Sequence, residues 1–243
     1  VLRQDPGSRY RQVAPAGESR RPRCHAATVY PRRRPLRYPP AVSTASRPRI
    51  LVVSGSARLD SHVHELVRIA GEVAESAAAE DQILRLHELA LPVMRNGDAD
   101  QDALPTVKAA RARADWADGF ILVTPEYHGS MSGCLKNWFD FLYAELAGKF
   151  AGVLAVTGGG GGDMSITAVK TSFSWCHGFT LPYHAAARGV DFAADGSLGN
   201  VGVRDRMRRV AHDVVRYAPV LRATFEHARA LGRGVESGVA GTH

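Results

Sequence analysis

Ser54, Gly55, Ser56, Arg58 and Ser61 follow the apolar run ILVV and bring three hydroxyls, a forked guanidinium and backbone N–H groups together just before a helical pattern. That combination suits a phosphate, because charge-assisted and backbone hydrogen bonds converge at a helix start. The loop has neither the GxGxxG spacing of a dinucleotide fingerprint nor the GxxxxGK[ST] spacing of a P-loop. On the plainer reading, Ser61 caps the helix and Arg58 is solvated. A second cluster, TPEYHGS, leaves the run GFILV: Pro125 fixes the chain direction, Glu126, Tyr127 and His128 offer peptide groups, and Gly129 and Gly133 allow close approach of a flat ligand. Otherwise Tyr127 and His128 are ordinary loop side chains. Five consecutive glycines, Gly158 to Gly162, follow the run AGVLAVT and leave backbone and space, or else form a surface turn.

The elements that must position these loops alternate from Arg49 onward between short apolar runs and longer helical stretches, the pattern of a parallel sheet covered by helices. RILVVSGS, QILRLHEL, GFILVTP, AGVLAVT and TLPYHAAAR read as five strands. Helices are expected from about Ser61 to Ala78, from Pro105 to Ala114, through GCLKNWFDFLYAEL, over ITAVKTSFSWCHG, and along VRDRMRRVAHDVVRYAPVLRATFEHA. In such an open sheet, ligands sit at the carboxyl ends of the strands, where all three clusters fall.

Charge divides the chain. Residues 1–48 hold eleven Arg, no Lys and two acidic residues, whereas the remainder holds 20 basic and 22 acidic residues. The net charge of +7 therefore belongs to the N-terminal segment. Residues 1–47, rich in Arg and Pro and without apolar periodicity, are expected to be disordered. They read either as a nucleic-acid, membrane or transit segment or, more plainly, as a non-functional extension from an over-extended gene start. Residues 48–232 form the expected single domain, with 233–243 a loose tail. Cys24, Cys134 and Cys176 are odd in number and lack CxxC spacing, which argues against a disulfide framework and a zinc site and fits a reducing cytoplasm. His62 and His64, two apart, lie on different sides of a helix rather than on one ligating face. No serine sits in GxSxG, and no apolar run is long enough to span a membrane.

GSARLDS and TPEYHGSMSGCLKNWFDFL together resemble the NADPH-dependent FMN reductase family of quinone, azo-dye and chromate reductases, whose hallmarks read roughly GSxRxxSxN and PEYNxSxxGxLKNxxD. The resemblance covers residues 49 to about 230; the second motif is long and specific, the first short. It implies an α/β, flavodoxin-like, doubly wound five-stranded parallel sheet with helices on both faces. It implies noncovalent FMN whose phosphate meets Ser56, Arg58 and Ser61, with Pro125, Glu126, Tyr127 and His128 lining the isoalloxazine and Gly158, Gly159 and Gly160 on its far side. NADPH or NADH supplies the hydride and a small acceptor takes the electrons, with no obligatory protein acid or base. A homodimer or homotetramer is also implied, and neither nucleic acid nor membrane is an expected partner. Two positions depart from the pattern: Val63 stands where the first hallmark has Asn, and His128 where the second has Asn. Lys136, Asn137 and Asp140 match it but read as helix packing. A flavodoxin-type electron carrier without its own substrate is the competing class, since fold cannot separate the two.

Overall fold

The structure, a computed structural model, describes residues 47–243. The expectation for residues 1–46 lies outside the described residues. Arg47, counted above with that segment, instead donates to the carbonyls of Ala78 and Ala79 at 3.0 and 2.7 Å, so the anchored chain begins one residue earlier than expected.

Six strands form one parallel sheet: β1 (Arg49–Ser54), β2 (Glu80–Arg85), β3 (Gly119–Pro125), β4 (Phe150–Thr157), β5 (Phe179–Thr180) and β6 (Ala185–Arg188). Their order is β2-β1-β3-β4-β5, with β6 also paired to β4. The helices are α1 (Val63–Ser76), α2 (Leu86–Leu89), α3 (Ala99–Asp102), α4 (Pro105–Trp116), α5 (Gly133–Asp140), α6 (Asp163–Trp175) and α7 (Val201–Ala230). Alternate residues of β1 feed opposite cores, as the two-residue period of a strand requires. Ile50 and Val52 join α1 and α7 on one face, whereas Leu51 and Val53 join α4, α5 and α6 on the other. The chain leaves β1 in one direction to reach β2 and resumes on the other side with β3, so the winding reverses between β1 and β3. In sheets wound this way, ligands sit at that reversal, outside the carboxyl ends of the strands.

Four elements differ from the expectation, each for a local reason. QILRLHEL is strand only to Arg85; Leu86 then turns into α2, which packs Leu86 and Leu89 under the sheet and ends on left-handed Ala90. The helix from Gly133 stops at Asp140 because Phe141 and Leu142 bond three residues back and Arg111 takes the Phe141 carbonyl at 2.9 Å. The fifth strand is split: Leu181 still donates to Ala151 at 2.8 Å, but Pro182 has no N–H to continue, and pairing resumes only at Ala185. The expected loose tail forms a 3-10 segment, Val235–Thr242, whose Ala240 packs against Phe225 and Ala147.

Helix α7 lies directly on the sheet because β3 and β4 present glycine to it. A Cβ on Gly152 would stand 2.6 Å from Val210 and 2.7 Å from Val214. Another buried group closes the opposite layer: Lys149, fully buried, donates from Nζ to the Ala114 and Asp115 carbonyls at 2.7 Å each and so satisfies the end of α4. Burial, reinforced by nearby Arg222, pushes its ammonium down to about 8.

Two outcomes follow. Gly152→Val forces α7 away from β4 and lowers stability by about 1 to 3 kcal/mol, the usual range for overpacking, measured by urea denaturation. For Lys149, the folded state releases its proton near pH 8, while the unfolded lysine holds its own to about 10.4. The unfolded state binds more protons in that window, so stability rises with pH across it. Relative to Lys149→Met, the wild type gains on the order of 2 to 4 kcal/mol between pH 8 and 10.4; denaturant midpoints for both proteins at a series of pH values check the sign.

Candidate active site

The loops after β1 and β3 are stitched together at Gly55. Its N–H donates to the Val123 carbonyl at 2.8 Å, extending the β1–β3 ladder by one residue. Its carbonyl accepts from the Ser132 hydroxyl and from the Cys134 thiol, the latter at 3.1 Å. Ser132 is at the same time the cap of α5, accepting from Leu135 N–H at 3.2 Å. A Cβ at position 55 would lie 2.8 Å from the Val123 oxygen, so only glycine fits.

From this anchor the residues after β1 turn outward. Ser56 Oγ accepts from Arg58 N–H at 3.1 Å, and Ser61 Oγ accepts from Val63 N–H at 3.3 Å, which leaves the Ser61 hydroxyl proton free to donate. The N–H groups of Ala57, Leu59, Ser61 and His62 meet no acceptor among the described residues. These unpaired amides, a hydroxyl and a guanidinium at the start of α1 form a donor set for an anion. Arg58 is already engaged, however: Nε and Nη2 reach the Asp60 carboxylate at 3.2 and 3.0 Å in an exposed forked pair. The hydrogen bond from Arg58 holds the Asp60 carboxyl below the usual carboxylate range, and the same pair raises Arg58. An anion that takes the forked Nε–Nη2 edge of Arg58 must draw it from Asp60.

After β3 the chain makes a tight hairpin. Tyr127 and Ser130 exchange backbone hydrogen bonds of 3.0 Å, and the two residues between them, His128 and Gly129, have φ of +52° and +72°. Two consecutive positive φ values define a type I′ turn, which favours Asn or Gly and which His, one of the more tolerant side chains, can also adopt. Glu126 N–H is spent on the Val156 carbonyl and Tyr127 N–H on Ser130, so only His128 and Gly129 retain free amides here. The Glu126 carboxylate is a brace. It accepts from Ser165 N–H in the first turn of α6 at 3.2 Å and from Thr157 Oγ1 at 3.4 Å, while Thr157 Oγ1 accepts from Gly160 N–H at 3.1 Å. Turn, glycine loop and helix α6 are thus tied to one another. Gly158 and Gly159 have open space where a Cβ would be, leaving room for a flat group.

A family profile described as NADPH-dependent FMN reductase matches residues 48–192. The chain belongs to that family. Among curated relatives, an NADPH azoreductase of Bacillus sp. (strain OY1-2) is 30% identical over 183 residues, which cover 74% of this chain and 96% of the relative. The NADPH-dependent FMN reductase ArsH of Shigella flexneri is 28% identical over 182 residues, 72% of this chain and 70% of its own length. In fold, the chain superposes on the flavoenzyme NAD(P)H:(acceptor) oxidoreductase FerB of Paracoccus denitrificans with a TM-score of 0.59 at 24% identity, over 70% of this chain and 97% of FerB. This FMN reductase is accordingly an NAD(P)H-dependent oxidoreductase that works with FMN.

The expected site residues gather on three adjoining loops, with two exceptions. Ser54 and Ser56 are both fully buried: the Ser54 hydroxyl is 3.3 Å from His64 Nδ1, and Ser56 Oγ accepts from Arg58 N–H at 3.1 Å, so both hydroxyls serve the protein's own loop rather than a ligand. Three groups were not singled out as site residues. Met164 is 68% exposed beside Gly129. Thr157 carries the relay from Gly160 to Glu126, and its place between strand and glycine run was the available signal. Ser132 reads as a serine three residues before the first buried leucine of a helix, the spacing of an N-cap. No helix of the described residues is long and apolar enough to cross a membrane.

The competition for Arg58 gives opposite signs at neighbouring positions. If the loop after β1 holds the FMN phosphate, Arg58→Ala weakens FMN binding by about 1 to 3 kcal/mol, the range for one charge-assisted hydrogen bond. Asp60→Asn tightens it, because the guanidinium is released and a like charge beside the phosphate is removed. Dissociation constants of FMN for the apo forms, read by quenching of flavin fluorescence, check both directions.

Proposed function

We propose that this chain reduces a small acceptor, such as a quinone, an azo compound, a metal oxyanion or free flavin, at the expense of NAD(P)H, with FMN seated at the winding reversal between β1 and β3. The observation that carries the reading is the set of unpaired amides at Ala57, Leu59, Ser61 and His62 beside Arg58. This donor set fits a dianionic phosphate, and the open space at Gly158 and Gly159 fits the edge of a flat ring. Bound FMN supplies the redox chemistry, accepting a hydride equivalent from NAD(P)H and handing electrons on.

The chain's own residues have narrower tasks. Ser56 shapes the phosphate loop, and Arg58 with Ser61 binds the phosphate. The Tyr127–Gly129 turn, bordered by Pro125 and braced by Glu126, holds one side of the ring through the free amides of His128 and Gly129. Gly158, Gly159 and Gly160 bound the other side. Tyr127 and Met164, both exposed, line the space where nicotinamide and acceptor stack in turn. No side chain in this arrangement needs to act as an acid or base. We further propose a cytoplasmic homodimer or homotetramer that engages neither nucleic acid nor membrane.

Reconstituting the apoprotein tests the assignment. FMN restores NADPH or NADH oxidation with a quinone, and FMN binds more tightly than riboflavin because only FMN engages the loop after β1. If FMN-loaded protein takes no electrons from either nicotinamide yet exchanges them with a reduced partner protein, the carrier reading replaces this one. Light scattering of the eluted peak gives the oligomeric state.

A further inference from the structure

His64 lies in the first turn of α1, half-buried, with both ring nitrogens engaged. Nε2 is 2.9 Å from the Arg58 carbonyl, and Nδ1 is 3.3 Å from the Ser54 hydroxyl. A carbonyl only accepts, so Nε2 carries the proton and donates it, and Nδ1 of the neutral ring accepts from Ser54. One ring thereby spans the loop from the buried end of β1 to the middle of the anion-binding turn. The edge of His87, 5.5 Å away and inclined at 69°, closes the side toward α2.

The consequence concerns the next peptide. Arg58 is held at both ends, its N–H by Ser56 Oγ at 3.1 Å and its carbonyl by His64. In a planar trans peptide the C=O of one residue and the N–H of the next point in opposite directions. A carbonyl of Arg58 turned inward to His64 therefore turns the Leu59 N–H outward. That N–H meets no acceptor among the described residues. Val63, where the family pattern has Asn, is fully buried and offers no side-chain hydrogen bond, and the bond to the loop comes from its neighbour instead.

We propose that His64 is a positioning residue for cofactor binding: it fixes the peptide plane between Arg58 and Leu59 so that the Leu59 N–H donates to the phosphate of FMN. This rests on the reading that the loop after β1 binds that phosphate. The role is distinct from packing, because it depends on a donor at Nε2 and acts only on ligands that carry a phosphate.

Three proteins are compared: wild type, His64→Leu, which keeps bulk and loses both nitrogens, and His64→Gln, whose amide reaches the Nε2 position. Apoprotein is titrated with FMN and, separately, with riboflavin. His64→Leu raises the FMN dissociation constant about tenfold, the scale of one such hydrogen bond, leaves riboflavin within about twofold, and His64→Gln recovers most of the loss. Equal weakening of both ligands, or failure of Gln to recover what Leu loses, overturns the proposal by marking His64 as packing alone. Should His64→Leu not fold, the wild type still decides: the amide resonance of Leu59 in 15N-labelled apoprotein moves downfield with FMN and not with riboflavin, and a Leu59 amide indifferent to both overturns it. Wild type that binds FMN and riboflavin equally sinks the phosphate reading itself, whereas a wild type that prefers FMN alongside an unaffected His64→Leu sinks only the role of His64.

Discussion

The site depends on the peptide at Gly55, whose two hydrogen-bonding ends are committed to two different elements. Its N–H continues the ladder into β3 and its carbonyl gathers Ser132 and Cys134 at the start of α5. Because no side chain fits at this residue, β1 and β3 approach closely enough for the loops that follow them to face one another. The turn after β1 and the type I′ hairpin are therefore fixed relative to each other through the Gly55 peptide, by the strand ladder on one side and Ser132 and Cys134 on the other. Alanine at 55 would not merely add a methyl; it would part the two loops.

The side chains that by type look reactive are mostly occupied elsewhere. Glu126 braces α6 and the glycine loop, His64 braces the loop after β1, and Lys149 closes the end of α4 in the interior. What remains on the loops after β1, β3 and β4 is chiefly backbone N–H, hydroxyl, one guanidinium and the exposed side chains of Tyr127 and His128. Such an inventory grips and orients a ligand but supplies little proton chemistry of its own, which suits a protein whose reaction is carried by its cofactor. It also accounts for His128 in place of Asn. The turn demands positive φ at that residue, a demand on the backbone that His meets, and the free amides on offer belong to the main chain.

Much of this was legible in the sequence because the relevant signals are local. The apolar runs of β1, β3 and β4 announced strands buried on both faces, and the loops that follow them carried the chemistry. What escaped were features set by tertiary neighbours. QILRLHEL alternates well enough for a strand throughout, yet Leu86 and Leu89 turn into α2 and pack into the same core as the buried side chains of α5. Ser54 has the residue type of a phosphate ligand and the position of one, but the ring of His64 claims its hydroxyl, and no pattern in the sequence states which way a hydroxyl points. Arg58 has the residue type of a phosphate ligand too, yet Asp60, two residues on, pairs with its forked edge. The tail from Val235 lacked periodicity because a 3-10 segment of this length packs through one small residue, Ala240, and not through a stripe.

The interruption at Pro182 bears on how these molecules behave at high concentration. A sheet rim with an unbroken row of unpaired N–H and C=O groups invites a strand from another chain, and proteins blunt such rims with short strands and proline. Here the rim beyond β4 is cut into a two-residue and a four-residue piece. Between them, Lys170 caps the Pro182 carbonyl at 2.8 Å, occupying an acceptor that an incoming strand would need. The residue that spoils the fifth strand as a strand thus protects the solution against edge-to-edge aggregation.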